Sequence, residues 1–154
     1  MLELKSEFLF NLALTVNPQP QAVADVPLGR RRITLITGGR FEGPRLRGQV
    51  APGANAAWVI VRRDGTLQLD ARVTLRTDDG AWIYMFYPGI GTGTPEVMAK
   101  INAGQPVEPG QYYFRTTPQF ETGAPAYAWL NSVMAVGVGV RGATGPTYDV
   151  HRIL

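Results

Sequence analysis

Residues 58–87 read Trp58-Val-Ile-Val-Arg-Arg-Asp-Gly-Thr-Leu-Gln-Leu-Asp-Ala-Arg-Val-Thr-Leu-Arg-Thr-Asp-Asp-Gly-Ala-Trp-Ile-Tyr-Met-Phe-Tyr87. Two Asp-Gly pairs, Asp64-Gly65 and Asp79-Gly80, separate three runs rich in β-branched and aromatic residues. Asp-Gly between such runs reads as a tight hairpin whose two turn positions tolerate positive φ. In the middle run Leu67, Leu69, Val73 and Leu75 share one face, and Gln68, Asp70, Arg72, Thr74 and Arg76 share the other. Three consecutive antiparallel strands follow.

The same period extends outward. Leu2, Leu4, Phe8, Phe10, Leu12, Leu14 and Val16 alternate with mostly polar residues, which reads as a half-buried strand. Residues 17–29 carry Pro18, Pro20, Pro27 and Gly29 and read as a loop. Ile33–Ile36, Leu46–Val50, Gln111–Thr117, Tyr127–Arg141 and Thr147–Leu154 read as further strands. One helix is expected after Thr94: this residue can cap it, Pro95 fits its first turn and Gly104 stops it. The total is about eight to ten strands and one short helix. A sandwich and a barrel both suit that count. Gly137 and Gly139 inside a long strand favour bending, and hence a single all-β antiparallel closed barrel over residues 1–154.

Composition excludes several classes of function. The 154 residues contain 18 Gly and 12 Pro, no Cys, one histidine (His151) and two serines (Ser6 and Ser132). Disulfides, thiolate catalysis and zinc–thiolate sites are therefore ruled out, and a Ser-His-Asp triad lacks material. No cofactor or metal is expected. A net charge of +3 argues against a nucleic-acid partner, and Arg30-Arg31-Arg32 reads as the solvated start of a strand. No apolar run is long enough for a membrane span. Ala22-Val-Ala24 resembles a leader cleavage site, but Glu3 and Glu7 interrupt the apolar run before it, so a cytoplasmic location is expected. Uncharged Trp82–Tyr87 offers an interface, and a homodimer is the commonest symmetric outcome.

Four groups are candidates for chemistry. Arg115, in a strand with aromatics on both faces, suits a carboxylate or carbonyl, or else pairs with Glu121 at a barrel end. Glu121 is an acid–base group if an apolar pocket raises its pKa, and otherwise an ion-pair partner or turn cap. Asn131 shares a face with Tyr127 and Trp129, as Gly137, Gly139 and Arg141 do further on. That pattern gives either an aromatic wall with an amide for a developing oxyanion, or an ordinary core. Asp70 and Arg72 form an exposed cross-strand charge pattern or a polar lumen. Trp58, Tyr84 and Tyr113 complete the possible ligand-binding aromatics. Gly137-Val-Gly-Val-Arg-Gly142 matches a dinucleotide fingerprint literally but lacks the following helix. His151 and Asp149 read as a surface pair.

Ile36-Thr-Gly-Gly-Arg-Phe-Glu-Gly-Pro44 resembles the GG-x-F-x-GP signature of the DUF3237 (UPF0311) family. Leu46-Arg-Gly48, Asp64-Gly65-Thr66, Leu69-Asp-Ala-Arg72, Thr77-Asp-Asp-Gly-Ala81, Tyr112-Tyr-Phe-Arg-Thr116, Phe120-Glu-Thr-Gly123 and Tyr127-Ala-Trp-Leu-Asn131 follow in order along the chain. The resemblance implies a small barrel similar to that of allene oxide cyclase. There is one departure: where the family pattern places Asp before a Trp, this chain has Ala57 before Trp58. An acid at that position is missing here, or Asn55 or Asp70 takes its place.

Together these readings lead to a cofactor-free enzyme of isomerase, cyclase or lyase type. It would act on a small carbonyl-bearing or aromatic hydrophobic substrate in the lumen, with Arg115 and Asn131 as electrophiles and Glu121 or Asp70 moving the proton. A carrier of a small hydrophobic ligand and an oligomeric structural subunit are the alternatives.

Overall fold

The computed structural model describes residues Met1–Leu154. Eleven strands form one sheet: β1 (Ser6–Val16), β2 (Gln21–Val26), β3 (Gly29–Glu42), β4 (Arg47–Val50), β5 (Ala56–Arg62), β6 (Leu67–Thr77), β7 (Trp82–Gly93), β8 (Tyr112–Thr116), β9 (Gln119–Glu121), β10 (Ala135–Val140) and β11 (Thr147–Ile153). Eight of them close into an antiparallel ring in the order β1-β3-β5-β6-β7-β8-β10-β11, and β11 pairs back onto β1. β2, β4 and β9 are flanking strands on this ring.

The Asp-Gly hairpins join β5 to β6 and β6 to β7, but their turns differ from the expected type. Gly65 N–H bonds to Arg62 O, and Gly80 N–H to Thr77 O. Only the glycines take positive φ, at 85° and 92°. Each turn is therefore a three-residue loop in which a glycine follows the turn as a bulge. Asp64 stays right-handed and accepts Thr66 N–H at 2.9 Å.

The alternation in β6 holds: Leu67, Leu69, Ala71, Val73 and Leu75 are all buried. In β1 it is broken. A bulge between Phe8 and Phe10 turns Leu9 and Phe10 both inward and leaves Phe8 partly exposed. Leu2 and Leu4 precede the strand and are exposed. Two further expectations fail. Residues 21–26 form β2, because β3 is long enough to pair with both β5 and this extra strand. Residues 125–132 form a 3-10 helix rather than a strand, with Pro125 in its first turn.

The α-helix α1 (Pro95–Asn102) has the expected cap. Thr94 Oγ1 accepts Val97 N–H at 3.3 Å, and Gly104 beyond its end has φ 72°. Its Met98 and Ile101 are buried.

The interior is filled unevenly. Phe10, Phe41 and Phe120 meet edge to face, with centroids 5.7 and 6.0 Å apart, toward the end where β6 turns into β7. The 3-10 helix crosses this end and buries Leu130 completely. Thr122 Oγ1 donates to Trp82 O at 2.7 Å, and Tyr127 Oη donates to Asp79 at 3.0 Å, which fastens the helix there. Within Trp82–Tyr87, Ile83, Met85 and Tyr87 point into the core, whereas Trp82 is exposed and Tyr84 and Phe86 are half-buried on the outer face.

At the opposite half, Gly139 faces the Phe114 ring. A Cβ there would stand 2.5 Å from a ring carbon. Gly139→Ala must push this ring aside, and a loss of about 1–3 kcal/mol is expected for such overpacking. The urea midpoint of the variant measures it, and an unchanged midpoint would show that the ring has room to move.

Candidate functional site

A cavity of about 170 Å³ opens in the unfilled half of the barrel. Its apolar walls come from Val59 of β5, Leu67 and Leu69 of β6, Phe114 of β8, and Leu14 and Val16 of β1. The loop between β10 and β11 borders it through Gly142, Ala143 and Gly145. α1 packs on the same end, where a small gap is shared by Met98, Ile101, Phe114 and Arg141.

Two arginines give the site its character. Arg32, from β3, is half-buried, and Arg141, just after β10, stands exposed at the rim. Neither guanidinium takes part in any of the ion pairs of the protein, which join Arg30 to Asp25, Arg72 to Asp70 and Arg152 to Glu7. No Asp, Glu or His lines the cavity. Burial, and then the nearby charge of Arg141, holds the pKa of Arg32 below the ordinary arginine value. Although Arg141 as a whole residue is exposed, desolvation of its guanidinium by the surrounding wall also lowers its pKa, and the Tyr112 and Tyr148 hydroxyls partly oppose this. Two like charges in a partly dry space without a counterion attract any anion that fits.

Tyr87 and Tyr148 belong to the same wall and are 2% and 1% exposed. Their rings meet edge to face at 5.5 Å, and Phe114 packs on Tyr148 at the same spacing. Burial pushes both phenols well above the ordinary tyrosine value. They therefore stay protonated, and because the two hydroxyls also hydrogen-bond with each other, one proton of the pair is left for a ligand oxygen.

None of the residues expected to line the lumen does so. Arg115 lies on the outer face of β8, where Nη1 donates to Phe114 O at 2.9 Å and the guanidinium sits 4.8 Å from the Tyr113 ring centroid. It makes no ion pair with Glu121, which is exposed on β9. Tyr113 is exposed beside it. Asn131 is a clamp: Oδ1 accepts Thr122 N–H at 2.8 Å, and Nδ2 donates to Thr122 O at 3.0 Å. Asp70 pairs with Arg72 at 3.5 Å on the outside of β6, as the exposed-charge alternative has it. Trp58 is exposed across from Asp70 in the ladder, and Tyr84 stacks on Phe86 at 5.2 Å. Trp129 lies 3.8 Å beneath the Arg45 guanidinium. Tyr127 and Thr77 both donate to Asp79, and the Thr77 bond foremost holds that carboxyl below the usual range. Asp149 accepts from Asn11 at 2.8 Å and His151 packs on Phe8, so these two do not pair.

Ala57 lines the cavity. An aspartate there would put an acid in the wall with the two arginines, and this chain has a methyl group instead. Asn55 does not replace it. Its amide is consumed by Ala51 O at 2.6 Å and Thr74 N–H at 2.8 Å. The residues missed in the sequence do have a signal. Arg141 continues the inward face of Gly137 and Gly139, and Arg32 shares period two with Thr34 and Ile36.

The raised phenols have a measurable consequence. Unfolded tyrosines ionise near pH 10, whereas Tyr87 and Tyr148 keep their protons in the fold. Their contribution to stability is complete below about pH 10 and is lost as pH rises beyond it. Titration at 295 nm should leave these two of the six tyrosines protonated until alkaline unfolding. Smooth titration of all six in the folded protein would contradict this.

Comparison with known proteins agrees with this architecture. Residues 4–153 match the family described as "Protein of unknown function (DUF3237)". The UPF0311 protein RPA1785 of Rhodopseudomonas palustris is 37% identical over 151 residues, covering 98% of this chain and 97% of its own. Its crystal structure superposes with a TM-score of 0.95 over the whole of both chains. A β-barrel-like protein of Acinetobacter baumannii is 36% identical and superposes at 0.87, over 100% of this chain and 98% of its own. An enzyme of Penicillium herquei shares the fold at 0.74 with 24% identity, over 98% of this chain and 95% of its own. An eight-stranded ring with this cavity, matched along almost its full length, makes the chain a member of the DUF3237 (UPF0311) family.

Proposed function

We propose that this barrel is a cofactor-free enzyme of isomerase, cyclase or lyase type. It takes a small, apolar, carbonyl-bearing substrate into the cavity. The observation that supports this reading is the pair of unpartnered arginines beside two protonated phenols in an otherwise apolar wall. Donors held in a partly dry space stabilise negative charge that develops on a substrate oxygen, and they need no reorganisation at that moment. The apolar walls fix the substrate's conformation, and orientation alone lowers the barrier of a unimolecular rearrangement.

The wall contains no carboxylate or imidazole to take up a proton. In this reading the proton is moved by water at the mouth or by a group of the substrate itself. The same absence favours a second reading, a carrier that holds such a molecule without transforming it.

The isomerisation of 3-cyclohexenone to 2-cyclohexenone, followed by absorbance, tests the first reading. Acceleration over buffer is expected, with a loss of about 10²-fold on Arg141→Ala, the usual scale for removing one oxyanion donor. Binding seen by NMR with no acceleration would leave the carrier. No binding at millimolar ketone would remove the cavity as a site for this class of molecule.

A further inference from the structure

We infer that the natural ligand of this cavity is a carboxylate with an apolar body no larger than a single six-membered ring. The inference rests on the cavity being the binding site and adds the charge and size of what binds there.

The charge follows from an imbalance. Arg32 and Arg141 bring two permanent cations to the cavity, and no acid lines it. Of the other half-buried arginines, Arg152 donates two bonds to Glu7 at 2.8 and 2.5 Å and Arg115 donates to Phe114 O, while Arg31 lies outside the cavity. Arg32 has no such answer. A neutral carbonyl ligand would leave both charges uncompensated, whereas a carboxylate offers two oxygens to guanidinium forks. Arg141 is exposed at the rim, where water screens part of its charge, so one negative charge suffices for Arg32. The one proton that the hydrogen-bonded Tyr87–Tyr148 pair leaves free suits a neutral oxygen on the same ligand.

The size follows from the walls. An apolar protein cavity of about 150 Å³ takes one benzene. The volume here is about 170 Å³. Val59, Leu69 and Phe114 give a ring its contacts, and two fused rings would have to protrude past the arginines.

Calorimetric titration of the full chain with benzoate, benzamide, phenyl phosphate and 1-naphthoate tests both parts. Benzoate is expected to bind at least tenfold more tightly than benzamide and 1-naphthoate, and no more weakly than phenyl phosphate. Arg32→Leu should lose at least tenfold in benzoate affinity while melting at or above the parent temperature, since it removes a like-charge contact. Should that variant fail to fold, Arg141→Gln at the exposed rim reads the same loss. If benzamide binds as well as benzoate, the carboxylate is overturned and the cavity stands as a neutral-ligand site. Phenyl phosphate binding tenfold more tightly would replace the carboxylate by a phosphate. Equal binding of 1-naphthoate would overturn the size limit. If none of the four probes nor 3-cyclohexenone binds, the cavity reading itself falls.

Discussion

The ladder between the first and last strands decides whether this chain has an inside. β1 and β11 pair from Ser6↔Ile153 to Ala13↔Thr147, and every other strand of the ring is positioned by that closure. Without it, two sheet edges and an apolar face would open to water. The ring is also uneven. β6 and β7 pair over ten residues, whereas β8 and β10 share only Gly137↔Thr116 and Val138↔Arg115. Because the closing contacts span nearly the full chain, loop-closure entropy is spent before they form, and slow folding is typical of this topology.

Closure leaves more interior than the side chains fill. One half is occupied by Phe10, Phe41 and Phe120 and covered by Leu130. The other half is left to Tyr87, Tyr148, Phe114 and space. Several of the sequence patterns that identify the family lie at the filled end, although Ile36, Leu69 and Phe114 from others line the cavity. Gly43-Pro44, Asp78-Asp79 and Tyr127 gather around one surface hollow, and Asn131 clamps Thr122 nearby. Their hydrogen bonds serve the architecture. The arginines of the open end lie outside those patterns, which is why the family signature describes a scaffold more clearly than a chemistry.

The barrel was legible where one face is apolar and the other polar, as in β6, where the inward positions from Leu67 to Leu75 are all Leu, Val or Ala. It was less legible in β8, whose Tyr112-Tyr-Phe-Arg-Thr116 is bulky on both faces. Nothing in that pattern says that Phe114 turns in and Arg115 out. The bulge at Phe8–Phe10 and the Pro125 helix are local inversions that periodicity cannot register. Arg32 was hidden for a different reason. Three arginines in a row look solvated, yet a strand sends alternate side chains to opposite sides, and the third borders the cavity. Charge on an inward face is rare enough that composition argues against it, and sites of function are where that rule is broken.

The covered end has a kinetic meaning. With Leu130 buried across one end of the ring, the cavity has no exit there and is approached from the other end, which Arg32 of β3 and the β10–β11 loop border. It is a blind alley rather than a tunnel. A spent molecule must back out before a fresh one can enter, so the two exclude each other, and turnover cannot outrun departure. A second reactant has no separate route, which restricts the barrel to handling one molecule at a time.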